Sequence, residues 1–169
     1  MFERIYVSDF DEIFSIMEKS FPLDEYRPYD EQKALFENEY YNVYAEKEEE
    51  VKGFIAVWNF PRFVFVEHFA VNPECRNKGT GAEILKKIIT LFDKPLCLEV
   101  EPPENELTRR RIGFYERNGF YLNEYPYIQP PISEGKNPVP LMIMSSGKEL
   151  SENEFNIIKK TLYHEVYKM

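Results

Sequence analysis

The chain has 169 residues, 43% hydrophobic and 16% aromatic, which is enough apolar material to bury a sizeable core and too much for a disordered segment. A formal net charge of -9 with no Lys/Arg-rich block excludes the electrostatic footprint of a nucleic-acid binder, so no nucleic acid is expected as a partner. No run reaches the roughly 18 apolar residues of a membrane span, acidic residues stand where a secretory leader would be apolar, and Cys75 and Cys97 lack metal-ligand spacing. The expectation is a single domain over 1–169 in a reduced, cytoplasmic compartment, with no membrane partner and no metal.

In chain order, RIYVSD reads as a short strand that stops at Ser8 and Asp9, either of which can cap a helix. Phe10, Ile13, Phe14, Met17 and Phe21 then recur at three and four residues, the period of an amphipathic helix that ends before Pro22. The loop SFPLDEYRPYD leads to a second helix holding Ala34, Leu35 and Phe36, for which Asp30 is the candidate cap. YNVYAEKEEEVKGFIAVWNF predicts a hairpin turning at the solvated run Glu48 to Glu50. In RFVFVEHFAV, Phe63, Phe65, Glu67 and Phe69 alternate with Val64, Val66, His68 and Ala70. That pattern predicts a central strand, apolar on both sides, with Glu67 and His68 on opposite faces and His68 a hydrogen-bonded core histidine.

After the loop NPECRNKGTG comes a helix with the apolar stripe Ile84, Leu85, Ile88, Ile89 and Phe92. KPLCLEVE predicts another buried strand, and a helix from about Asn105 to Asn118 ends at Gly119. Strand, loop, helix and strand in that order imply a parallel crossover unit. FYLNEY and VPLMIMS are further strands, separated by the proline-rich YPYIQPPISEGKNP, and Ser151 with Glu154 makes a capping box for a last helix over about 151–167.

The segment Arg76-Asn77-Lys78-Gly79-Thr80-Gly81 joins the central strand to a helix N-terminus. The first N–H groups of a helix have no partner within it and the dipole end there is positive, so an anion gains several hydrogen bonds at once. Gly79 and Gly81 allow close backbone approach, and Arg76 and Lys78 add charge. A pyrophosphate fits. Neither a P-loop nor a dinucleotide fingerprint is present.

These residues resemble the acetyl-CoA site of the GNAT superfamily of N-acetyltransferases, whose signature is [Gln/Arg]-x-x-Gly-x-[Gly/Ala]. HFAVNPECRNKGTGAEIL is similar to that family's strand, loop and helix, and RIGFYERNGF is similar to its later helix with Tyr and Gly-Phe. The resemblance covers residues 2 to about 145 and implies an α/β GNAT fold, a mixed central β-sheet flanked by helices, with an added C-terminal helix. It further implies acetyl transfer from acetyl-CoA, a cosubstrate, to a primary amine of a small molecule or amino-acid-like acceptor.

The resemblance implies that Arg76, Asn77, Lys78, Gly79, Thr80, Gly81 and Ala82 hold the pyrophosphate, and that the strand at Phe69, Ala70 and Val71 pairs with the pantetheine arm. Tyr115 corresponds to the family's recurrent tyrosine, which can donate a proton to the departing thiolate. Glu67 stands where other members carry base residues. A carboxylate among Phe65 and Phe69 is expected to have a raised pKa and to act as the base or as a magnet for the substrate cation. Thr108 falls where the family often has an Asn that contacts the pantetheine region. Arg111, with Leu107 and Phe114, needs a partner such as Glu99 or Glu101, or a substrate acid. The loop with Glu25 and Arg27 is placed where the family builds the acceptor wall, and Arg27 is a candidate clamp for an acceptor carboxylate. A silent CoA-binding module, a peptide-acetylating enzyme and a homodimer all stay open.

Overall fold

Strand β3 (Val51–Asn59) organises the first part of the chain, because it is apolar on both faces and is paired on both edges. In the computed structural model all 169 residues are described, and they divide into two units, Met1–Leu96 and Cys97–Met169. In the first unit β1 (Phe2–Ile5), β2 (Tyr41–Lys47), β3 and β4 (Val64–Val71) pair antiparallel in that order. Residues Phe54 to Trp58 of β3 have no exposed surface, which requires cover on both sides. Helices α1 (Phe10–Ser20) and α3 (Thr80–Leu91) both pack against β3. Gly53 is what lets α3 approach: a Cβ there would lie 2.8 Å from Ile84 Cδ1 and 3.0 Å from the Ala70 carbonyl oxygen. The buried stripe of α3 is Ile84, Leu85 and Ile88, whereas Ile89 and Phe92 are half-buried.

Two capping expectations fail in this unit. Asp9 does occupy the cap of α1, but its side chain bonds no helix amide and instead accepts from Lys47 Nζ at 3.2 Å. The second helix, α2 (Tyr29–Ala34), begins before Asp30 with Pro28 at its cap, since proline's fixed φ suits a helix entrance.

In the second unit β5 (Leu96–Val100), β9 (Met142–Ser146) and β6 (Phe120–Asn123) pair antiparallel, with β9 in the middle. Helix α4 (Glu106–Arg117) opens with Asn105 and Thr108 in a reciprocal capping box and ends before Gly119, whose φ of 89° is left-handed. The proline-rich segment contains a small ladder of β7 (Ile128–Gln129) with β8 (Val139–Pro140). Ser151 and Glu154 form the expected box for α5 (Glu152–Thr161), which continues into a wider π-helical turn, Leu162–Val166, that the sequence pattern did not announce. No helix is long and apolar enough to cross a membrane.

Candidate active site

The motif loop begins where β4 ends. Asn72 accepts a bond from the Glu74 amide, and the chain then passes through Asn77 (φ 65°) and Gly79 (φ 81°), both left-handed. That pair of reversals brings the chain into α3 with its first amides at the protein surface: Asn77, Lys78 and Gly79 are exposed, and Thr80, Gly81 and Ala82 are half-buried. Glu83 N–H is the first to close on Gly79 (3.1 Å), so the amides before it lie ahead of the helical ladder. Nothing lies within 4 Å of the place where a Gly79 side chain would begin, so the space beside this residue is open. Arg76 does more than add charge. Its Nε donates to the Val71 carbonyl (3.1 Å) and its Nη2 to Ser20 Oγ (3.3 Å), which ties the loop to the ends of β4 and α1.

Along β4, Phe69 and Val71 are half-buried, Glu67 keeps only main-chain exposure, and these alternate with buried Val66, His68 and Ala70. The register does not run through evenly: Ala56 faces His68 but Val57 faces Val66, leaving Glu67 as the extra residue of a β-bulge. The bulge overturns the expected opposition of Glu67 and His68, since His68 Nδ1 lies 3.6 Å from Glu67 Oε2. His68 is a core histidine as expected, with Nε2 2.7 Å from the Glu25 carbonyl oxygen. A carbonyl can only accept, so Nε2 carries the hydrogen. Nδ1 is buried and has no hydrogen-bond partner in the protein.

Glu67 departs most from expectation. Its side chain is 2% exposed, and Arg27 Nη2 donates to Oε1 at 2.7 Å. Trp58 Nε1 donates to Oε2 at 3.2 Å. Burial pushes this carboxyl up, but the Arg27 charge and the bonds from Arg27 and Trp58 outweigh it and hold the group below its ordinary value. The raised pKa inferred from its apolar neighbours is therefore reversed. Arg27 is correspondingly committed: 4% exposed, it also has Nη1 and its backbone N–H within 3.4 and 3.2 Å of Gln32 Oε1. Gln32 in turn donates to the Tyr41 hydroxyl at 3.3 Å. Sequence reasoning missed Trp58, Gln32 and Tyr41. The available signal was a charge inside an apolar strand, which demands a buried partner without naming it.

The second unit carries the remaining candidates. Tyr115, on α4, is half-buried with its ring against Phe114 (5.3 Å) and Phe120 (5.7 Å). Burial pushes its phenol up to about 12, with Arg111 pulling slightly the other way. Phe114 is only half-buried, not core. The Thr108 hydroxyl is spent in the capping box, taking the Asn105 amide (3.2 Å) and donating to the Asn105 carbonyl (3.1 Å), which accounts for a Thr at this position without a ligand. Arg111 pairs with Glu101 at 3.7 Å, on the surface, and not with Glu99. Glu99 instead accepts from the hydroxyls of Tyr127 (2.5 Å) and Tyr167 (2.6 Å), a cluster with no local sequence signature. Burial, then Glu99, drive the Tyr127 phenol far above its ordinary value. A separate cavity of about 420 Å³ runs along β1, β2 and α2, lined by Arg4, Tyr6, Asp30, Lys33 and Tyr41, and shares no residue with the motif loop.

The glycine-bearing loop at a helix entrance has a counterpart in known proteins: residues 8–120 match the model of the Acetyltransferase (GNAT) family. The chain belongs to the GNAT acetyltransferase family. It is thus an acyltransferase with the GNAT fold, a mixed central β-sheet flanked by helices. The Bacillus subtilis (strain 168) protein named "Putative acetyltransferase YjbC" is 26% identical over 145 residues, 83% of this chain and 74% of that one. A GNAT-family structure from Bacteroides thetaiotaomicron is 34% identical, with a TM-score of 0.90 over 100% of this chain and 99% of that one. The PaiA N-acetyltransferase of Thermoplasma acidophilum, solved in complex with coenzyme A, shares the fold at a TM-score of 0.62 and 15% identity, covering 86% of this GNAT chain and 97% of PaiA.

Proposed function

We propose that this GNAT protein transfers an acetyl group from acetyl-CoA to a primary amine of a small molecule. The observation that carries the reading is the left-handed pair Asn77 and Gly79 that leads the motif loop into the start of α3, since a helix start after such a turn suits an anion. PaiA's complex with coenzyme A supports the same cosubstrate. In this reading the amides of Thr80, Gly81 and Ala82 hold the pyrophosphate, with Arg76, Asn77 and Lys78 as the rim. The backbone at Phe69, Ala70 and Val71 pairs with the pantetheine arm. One N–H there polarises the thioester carbonyl, a type of donor worth about 3 kcal/mol elsewhere.

The neutral amine nitrogen attacks the carbonyl carbon, the C–S bond breaks as the C–N bond is made, sulfur departs as a thiolate, and the N–H proton shed by the new amide passes through solvent to neutralise it. With its pKa at about 12, Tyr115 keeps its proton at neutral pH and is able to donate. A thiol has a pKa near 8.5, so complete transfer from Tyr115 is uphill by roughly 5 kcal/mol. The phenol therefore acts mainly by hydrogen-bonding the developing thiolate. Glu67, already held by Arg27, is a poor match for an ammonium proton of pKa near 10. Its role is assigned to holding the site together and not to proton abstraction.

The loop from Pro22 to Pro28 is read as the acceptor wall, because Arg76 ties the end of α1 to the motif loop and His68 and Glu67 hold the segment that follows. Thiol release measured across a panel of amines, with calorimetry of CoA binding, tests the proposal. Release on a small amine is the expected result. CoA binding without release on any amine would leave a binding module, and release confined to peptides would move the acceptor to protein.

A further inference from the structure

The β-bulge makes two neighbouring residues of one strand grip the same loop at two points. Glu67 holds the Arg27 side chain through the 2.7 Å ion pair, and His68 holds the Glu25 main chain through the 2.7 Å bond to its carbonyl. Without the bulge, adjacent side chains would point to opposite faces of β4 and only one could reach the loop. The ring of Phe21, at the loop's start, packs edge-on against His68 at 4.9 Å, and Gln32 takes the Arg27 backbone N–H at its end. The segment between is fixed at both ends and in the middle.

This clasp has a chemical consequence for the acceptor. Arg27 is the only cation between Pro22 and Pro28, and its charge is met by a buried carboxylate. The other charged side chains of the loop, Asp24 and Glu25, are acids, and exposed Leu23 adds an apolar edge. We infer that Glu67 and His68 are positioning residues that clasp the acceptor loop, withdraw Arg27 from the substrate, and so select an amine that carries no carboxylate. The inference rests on the proposed acetyl transfer for its substrate and on the geometry alone for the clasp.

Matched acceptors test it: 1,5-diaminopentane and lysine differ only in a carboxylate. Wild-type protein is expected to favour the diamine in kcat/KM by about tenfold or more. Glu67→Gln, which leaves Arg27 without its counter-charge, should move that ratio toward lysine by a similar factor. His68→Gln keeps a donor for the Glu25 carbonyl and should retain the wild-type acceptor KM, whereas His68→Ala should raise KM without changing the dissociation constant of CoA. Trp58 is the only tryptophan and donates to Glu67, so its single indole N–H resonance reports the clasp without any turnover. It should shift in Arg27→Met and stay in place in His68→Gln.

A wild-type preference for lysine, an unchanged ratio in Glu67→Gln, or His68→Gln as impaired as His68→Ala would each overturn the inference. If neither amine is turned over, the acetyl-transfer reading fails for these acceptors, and an indole signal unmoved by Arg27→Met would separately dismiss the clasp. Where Glu67→Gln does not fold, the wild-type preference and the His68 pair decide.

Discussion

Arg27 and Glu67, 40 positions apart in the chain, meet at 2.7 Å with their side chains 5% and 2% exposed. Two desolvated charges in that position depend on each other: removal of one leaves the other buried and uncompensated, at a typical cost of about 3–5 kcal/mol. Arg27→Met and Glu67→Gln should each lower stability on that scale in urea titration. The double variant Arg27→Met/Glu67→Met should lose far less than the sum, because it leaves no stranded charge. Additive losses would mean that the pair contributes little of its own.

The pH dependence of stability follows from the same cluster. Burial lowers the His68 pKa below its ordinary 6.5, with Arg27 acting in the same direction and Glu67 and the Glu25 carbonyl only partly opposing. Below about pH 6.5 the unfolded chain therefore binds a proton that the folded chain does not, and stability falls as pH drops toward the folded value. Glu67 adds a second step: its folded pKa lies below the ordinary 4.5, so its stabilisation is complete above 4.5 and is lost as pH falls through the folded value. Urea midpoints followed from neutral to acidic pH should show both declines, and His68→Gln should remove the upper one. A wild-type midpoint that stays flat across the upper range would contradict the neutral, buried His68.

What the sequence made legible was what is settled within a few residues. The loop Arg76 to Gly81 was readable because its glycines, basic residues and following helix are contiguous, and the Ser151–Glu154 box because a cap is closed by its own first turn. The pKa direction of Glu67 is illegible in the sequence for a different reason. Strict alternation along β4 hides a bulge that exists only in the pairing with β3, and the guanidinium that reverses the shift comes from a distant loop. Arg111 had two candidate carboxylates from spacing alone. Only the fold reveals that Glu99 is taken by Tyr127 and by Tyr167, the latter 68 positions away, which leaves Glu101.

Tyr115→Phe separates chemistry from packing. The ring contacts with Phe114 and Phe120 survive the change, so the packing is kept and CoA affinity should hardly move. Turnover should fall by about a hundredfold if the phenol serves the leaving thiolate. Since the phenol is pushed up to about 12, the alkaline limb of the wild-type pH–rate profile should not reflect this residue at ordinary working pH. Single-turnover measurement with saturating acetyl-CoA is the decisive assay, and an unaltered rate would take Tyr115 out of the mechanism.

Gly79→Ala tests the motif loop itself. Space is not the obstacle, because nothing lies within 4 Å of the added methyl, but the φ of 81° is strained for any residue with a Cβ. The variant should lose about 1 kcal/mol of stability if the loop keeps its shape. If the loop relaxes to a negative φ instead, that loss shrinks and the helix-start amides turn away from the anion, so CoA affinity drops. Calorimetric titration of CoA beside urea denaturation distinguishes the two, because strain retained costs stability and strain released costs binding. A variant with both quantities at the wild-type level would show that the left-handed turn at Gly79 is not needed to bind the coenzyme.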